Sequence, residues 1–222
     1  MEFLQEDFIN NCIGNAGLEK AYFPFFDIKK NNRRYFFNEI NVQKGGLIEI
    51  KSLDDINKSI LFETMCGLII PRALPENKNF LKYKIFYKRK ELVPKYEGTV
   101  LDLLESKELE KNNSDYYKIY YILKLNNFIE KNIKDLSQSE LETLSLFLTI
   151  TENSDIFIFD YIPNTINYEI RTEILEYLKK NSKKNNKYFI STDSFFKNYK
   201  SDTVKTYEIS EINKDHYFGK MI

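Results

Sequence analysis

The sequence predicts an α/β fold carrying an all-helical insertion, and three stretches support that reading. Residues 22–50 alternate apolar and polar side chains around Lys44-Gly45-Gly46, the pattern of antiparallel strands joined at a turn. Residues 102–148 are rich in helix formers, with apolar residues three and four apart. Residues 155–160, DIFIFD, form a continuous apolar run ending in an acid, as in a parallel strand buried on both faces.

The remaining elements fall around these. Residues 1–21 mix polar and apolar residues and predict a weakly helical lead. YFPFFDI, RRYFFNEINV and LIEI then read as strands. Ser59 to Leu68 predicts a helix, 71–79 a loop, and Tyr83 to Tyr87 a short strand. Glu169 to Lys180 predicts a helix with Ile170, Ile174, Leu175 and Leu178 on one face, and Lys187 to Ser191 a second buried strand. Val204 to Ile209 is β-like. The basic, Asn-rich run 179–187 reads as a solvated turn, and 211–222 as a tail.

Composition narrows the function classes. The 222 residues hold 33 Lys+Arg and 33 Asp+Glu, so a uniformly basic protein that coats nucleic acid is excluded, while a local basic patch is not. Two cysteines, Cys12 and Cys66, cannot form a four-Cys site, and one histidine, His216, argues against His-ligated metals and His-dependent triads. No signal peptide or membrane-length apolar run is evident, so a cytoplasmic protein without a membrane partner is expected. Lys, Asn, Ile, Tyr and Phe are abundant and share AT-rich codons, so Lys and Asn counts carry little functional weight.

LSQSE (Leu136 to Glu140) precedes IFIFD (Ile156 to Asp160) at a fixed distance, with IEIKSLDDINKSILFETMCG upstream and YKRKELVPKYEGTVLDLL between. In this order the chain resembles a P-loop NTPase-like ABC cassette. The PK…GTV segment is similar to the second cassette of the ABC subfamily E ribosome-recycling factors. The resemblance covers about residues 22–210. It implies a RecA-like core, an antiparallel β lobe and a helical lobe at about 99–148, with Asp160 ending a central strand and Lys58 opening a helix at the neighbouring strand's edge.

The resemblance also assigns roles. A phosphate loop needs glycines so that its backbone N–H groups can wrap an anion. The matching positions are Ser52, Asp55 and Asn57, while Lys58 and Ser59 keep the phosphate lysine and magnesium hydroxyl. Asp54 and Asp55 set carboxylates in that loop, and a like-charge pair at ~4 Å costs about 4 kcal/mol at an effective dielectric of 20. Lys90 stands for the Q-loop glutamine, Gln138 and Ser139 for the signature glycines, and Thr143 for the signature helix's arginine. Asp160 keeps the Walker B aspartate; Tyr161 replaces the catalytic glutamate, Asn167 the D-loop aspartate and Thr192 the switch histidine. A phenol is a poor base for water at neutral pH.

These replacements predict a pseudo-ATPase with no catalytic residues and no cofactor, in which Lys58, Ser59 and Asp160 are remnants of a nucleotide site. With no Cys-rich Fe–S segment and no second cassette, the recycling cycle is not expected, and the chain is expected to be monomeric. The resemblance implies a ribosome-facing surface on rRNA and ribosomal proteins, with candidate contacts at Arg33, Arg34, Arg72, Lys88, Arg89, Lys90, Lys179, Lys180, Lys183 and Lys184. The leading expectation is a non-catalytic ribosome-binding hibernation or dormancy factor. The alternatives are a divergent ATPase related to recycling and a pseudo-ATPase adaptor in another protein complex.

Overall fold

A computed structural model describes residues 8–9, 15–16, 20–43, 46–72, 85–88, 96–107, 114–152, 154–160, 166–185, 188–192, 199 and 204–222. Twelve strands lie among them: β1 (Phe8–Ile9), β2 (Asn15–Ala16), β3 (Lys20–Phe23), β4 (Phe26–Lys30), β5 (Arg33–Phe37), β6 (Ile40–Gln43), β7 (Leu47–Ser52), β8 (Ile85–Lys88), β9 (Ile156–Phe159), β10 (Tyr188–Thr192), β11 (Val204–Asn213) and β12 (His216–Met221). The helices are α1 (Asp55–Met65), α2 (Val100–Ser106), α3 (Ser114–Ile122), α4 (Gln138–Thr151) and α5 (Tyr168–Asn185).

Nine strands form one sheet in the order β1-β8-β9-β10-β7-β11-β12-β5-β4, and β2-β3-β6 form a second. From β8 to β11 every neighbouring pair is parallel. The rest is mixed: β12 runs antiparallel to β11 and parallel to β5, and β4 antiparallel to β5. A parallel strand covered on both faces is apolar throughout, as β9 is. In β9, Phe157 and Phe159 enter a core shared with α2, α3, α4 and α5, while Ile156 and Ile158 enter one shared with α1 and the β4–β5 strands. Phe157, Phe159 and Phe189 stack within 14° of parallel, with centroids 5.1–6.4 Å apart. The acid-ended apolar run is thus a central parallel strand, as its sequence predicts.

Several expectations need correction. The lead at 1–21 was expected to be helical, yet its described parts are strands: β1 pairs with β8, and β2 with β3. β6 and β7 do not form a hairpin around the Gly-Gly turn. The Gly46 N–H donates to the Gln43 carbonyl, and the chain passes there from the small sheet to the centre of the large one. The basic run at 179–187 is not a turn through Asn185: α5 continues across it, because the Leu175 and Leu178 face is extended by buried Asn181, which donates to the Tyr177 hydroxyl. Residues 211–222 are no tail. They complete β11 and form β12, which closes the gap between β11 and β5. The predicted 71–79 loop lies outside the described residues beyond Arg72.

The helical lobe opens at Gly98-Thr99. Gly98 has φ +141°, and a Cβ there would meet the Tyr96 ring at 2.9 Å, so this position requires glycine. Thr99 and Asp102 cap α2 reciprocally, and Ser137 and Glu140 do the same for α4.

Candidate functional site: the sheet edge around Asp54, Lys58 and Asp160

β7 delivers the chain to the edge where the resemblance places a phosphate loop. That loop is only Leu53 and Asp54, since α1 begins at Asp55 rather than at Lys58 as expected. Asp54 is the N-cap: its Oδ1 accepts the Ile56 N–H at 2.9 Å. Its Oδ2 accepts from Arg33 Nη1 at 3.1 Å. The first free N–H groups of a helix are what an anion would occupy, and here a carboxylate of the chain itself takes one of them, that of Ile56. One turn on, buried Lys58 pairs with Asp55 at 3.2 Å. Ser52 Oγ accepts from the Asp54 N–H and the Asn57 amide, each at 3.3 Å.

Asp55 and Asn57, which stand where the resemblance expects phosphate-loop glycines, are wound into helix; the helix start is capped by Asp54, and Lys58 pairs with Asp55. Asn57 Oδ1 is buried without a hydrogen bond, but it is an acceptor and offers nothing to a phosphate oxygen.

Asp160 follows β9 directly, as expected. Its strand is not the neighbour of β7, however: β10 lies between them, with Thr192 at its end. Ser59 Oγ reaches past that end and donates to Asp160 Oδ2 at 2.7 Å, and the Tyr87 hydroxyl donates to the same oxygen at 2.8 Å. Burial raises the Asp160 carboxyl above the usual carboxylate range, although both hydrogen bonds act to lower it. Burial, then the Asp160 charge, pushes the Tyr87 phenol far above its ordinary value.

The signature stretch is read as caps and helix. Ser137 Oγ and its N–H both pair with Glu140, which also holds Lys131 at 2.7 Å. Gln138 donates to Glu142. Thr143 bonds back to the Ser139 carbonyl at 2.7 Å. Asn167 Oδ1 accepts the Ile170 N–H at the start of α5, a helix-capping contact. Tyr161 lies outside the described residues.

The candidate RNA contacts divide. Arg34 forks onto Asp27 at 2.7 and 3.1 Å and sits over the Phe36 ring; Arg33 is held by Asp54 and lies over Tyr217. Arg34 is therefore engaged within the β4–β5 region, and Arg33 by the start of α1 and by β12. Lys88 was expected on a surface, yet it is 2% exposed inside β8. Burial lowers its ammonium to about 8, against the pull of Glu142 and Asp160. β8 is covered on both faces, so a lysine there cannot reach an external partner. Arg72 is exposed, with its N–H on the Asp27 carbonyl. Lys179 and Lys180 line a cleft between α3 and α5. Arg89 and Lys90, and the side chains of Lys183 and Lys184, lie outside the described residues.

The capping boxes escaped the sequence reading, although Ser-x-x-Glu at 137–140 and Thr-x-x-Asp at 99–102 carry their signature. The Tyr87 bond to Asp160 had no sequence signal, because the two residues are 73 apart.

No model of a known protein family matches the chain. An uncharacterized ABC transporter ATP-binding protein of Methanocaldococcus jannaschii is 26% identical over 168 residues, covering 72% of this chain and 27% of that protein. Translation initiation factor RLI1 of Chaetomium thermophilum is 29% identical over 100 residues, covering 44% of this chain and 16% of that protein. This chain therefore spans about a quarter or less of these relatives. Among solved structures, a chain of the model of ribosome-bound archaeal Pelota and ABCE1 matches with TM-score 0.74 and 22% identity, over 94% of this chain and 34% of that one. A chain of the complex of archaeal stalk protein aP1 and ribosome recycling factor aABCE1 gives TM-score 0.73 and 19% identity, over 92% and 40%. An ATP-binding cassette of an ABC transporter in its ADP conformation gives TM-score 0.60 and 16% identity, over 86% of each. On its sheet order, its motif order and these likenesses, the chain has the fold of an ABC-type ATPase cassette and is similar to cassettes of the ABC subfamily E factors.

Proposed function

We propose that this chain is a non-catalytic cassette that binds the ribosome in the cytoplasm and holds it inactive, as a dormancy factor. The observation that supports the loss of turnover is the capped start of α1, where Asp54 takes the helix N–H group that a phosphate would need. Tyr161 and Thr192, standing where the resemblance expects the catalytic glutamate and switch histidine, support the same reading. The ribosome as partner is supported by a relative named a translation initiation factor and by two similarly folded chains, one solved with a ribosomal stalk protein and one ribosome-bound. A cassette that docks without a nucleotide cycle has no hydrolysis step to drive its release, so its occupancy blocks the site. Among the described residues no helix is long and apolar enough to cross a membrane.

A divergent ATPase is the second reading, favoured by the convergence of Lys58, Ser59 and Asp160 at one sheet edge. Co-sedimentation with ribosomes over a salt series, with and without magnesium-ATP, separates the two. A dormancy factor pellets with ribosomes irrespective of ATP, and more weakly as salt rises. ATP-dependent release that is abolished by Lys58→Ala establishes the ATPase instead. A chain that never pellets overturns the ribosome as partner.

A further inference from the structure

α3 carries four tyrosines in two neighbouring pairs, Tyr116-Tyr117 and Tyr120-Tyr121. The inner ring of each pair packs edge-on against Phe147 of α4, at 5.1 Å for Tyr116 and 6.4 Å for Tyr120. Each inner ring in turn braces its outer neighbour edge-on, Tyr117 at 5.3 Å and Tyr121 at 5.4 Å. The outer rings are 47% and 67% exposed. They lie four residues apart on one helical face, about 6 Å along the axis. Two large aromatic rings are thus held rigidly from below with their surfaces in solvent.

The next row of α3, Lys118 and Ile122, forms one wall of a cleft of about 600 Å³ whose other wall is α5. α5 contributes Lys179 and Lys180, with Thr172, Glu173, Glu176 and Tyr177. Lys118 Nζ lies 5.7 Å from the centre of the buried Tyr177 ring. Glu176 accepts a hydrogen bond from the Tyr199 hydroxyl, which draws one of the two acids toward its own chain. Three ammonium groups along a cleft, beside a row of exposed rings, match the two recurring requirements of single-strand binding: cations for the backbone and π-faces for the bases.

We propose that the α3–α5 cleft and the adjoining Tyr117/Tyr121 row bind single-stranded RNA. The inference rests on the ribosome reading for the source of that RNA. A base stacks on Tyr117 or Tyr121 only when it is free of its own duplex neighbours. The site therefore selects unpaired RNA over a helix, whose bases present no open face.

The test uses the full chain with a fluorescent 12-nucleotide oligouridylate, a 12-base-pair RNA duplex and an acidic amphipathic peptide, read by anisotropy over a salt series. Oligouridylate is expected to bind tenfold or more tighter than the duplex. Tyr117→Leu with Tyr121→Leu should weaken it by about tenfold per stacked base with the salt slope retained, since stacking is uncharged. Tyr117→Phe with Tyr121→Phe should restore binding. Lys118→Ala with Lys179→Ala and Lys180→Ala should flatten the salt slope. Equal binding of duplex and single strand, or wild-type affinity in the double leucine variant at an unchanged thermal melt, overturns the proposal. So does binding of the peptide with no binding of oligouridylate. Ribosome co-sedimentation of the same proteins distinguishes the two layers. A chain that pellets with ribosomes but ignores oligouridylate removes this site and keeps the partner. One that binds oligouridylate but does not pellet removes the partner and keeps the site.

Discussion

Ser59 Oγ and Asp160 Oδ2 meet at 2.7 Å across 101 residues of sequence, joining the second turn of α1 to the end of β9. The bond satisfies a carboxyl that burial has raised above its usual range. A group whose folded pKa is raised stabilises the fold below its unfolded pKa, and that contribution is lost as pH rises through the folded value. Asp160→Asn is therefore expected to keep or gain stability at pH 7, and to lose that advantage as pH falls toward 4. Urea unfolding of both proteins at the two pH values checks this. Marked destabilisation of the asparagine variant at pH 7 would show that the charge itself is needed.

Asp54 is expected to act as a structural cap. Asp54→Ala removes the acceptor for the Ile56 N–H and should cost about 1 kcal/mol, within the ~0.5–2 kcal/mol range of N-cap losses. Thermal melts read the loss, and a melt at least as high as wild type would contradict the cap role.

Lys88 carries a pH signature. Its folded pKa, about 8, is below the ordinary lysine value of 10.5, so the unfolded chain binds more protons between those limits and stability rises with pH across that window. Relative to Lys88→Met, the wild type should gain on the order of 3 kcal/mol from pH 7 to pH 11, at about 1.4 kcal/mol per pK unit. A constant difference between the two proteins across that range would mean that the lysine titrates normally.

Gly219 tests the placement of β12. A Cβ there would lie 2.6 Å from the Tyr207 ring and 2.9 Å from Phe37. Gly219→Ala should destabilise by about 1–3 kcal/mol through overpacking. If 211–222 were a tail, the substitution would be silent in a denaturant titration.

The helical insertion, the buried β9 and β10 strands and the position of Asp160 were legible because each is written in local periodicity. DIFIFD can be little else once both faces are covered. What sequence could not supply was partnership at a distance. Nothing near Arg33 announces Asp54, and nothing in LIEI says that its neighbours are β10 and β11 rather than β6. A lysine in isolation reads as surface, whereas Lys88 is the last residue of a strand buried along its whole length and paired there with Phe159 of β9. In Ser-Gln-Ser-Glu the family pattern hid a simpler signal, a capping box whose spacing is local and readable.

The parallel pairing of β5 with β12, which sets Tyr35 against Tyr217 with ring centroids 5.1 Å apart, has a consequence for synthesis. About 180 residues separate the two strands, roughly ten seconds to half a minute of translation at ordinary rates. For that interval the β4–β5 hairpin carries an open edge, the kind of surface that pairs with other chains. β7 likewise waits at the centre of an unfinished sheet until β10 and β11 emerge. Nascent chains stalled before Val204 should therefore be sticky, and this protein's yield in the cell should depend on chaperone capacity more than its final stability would suggest.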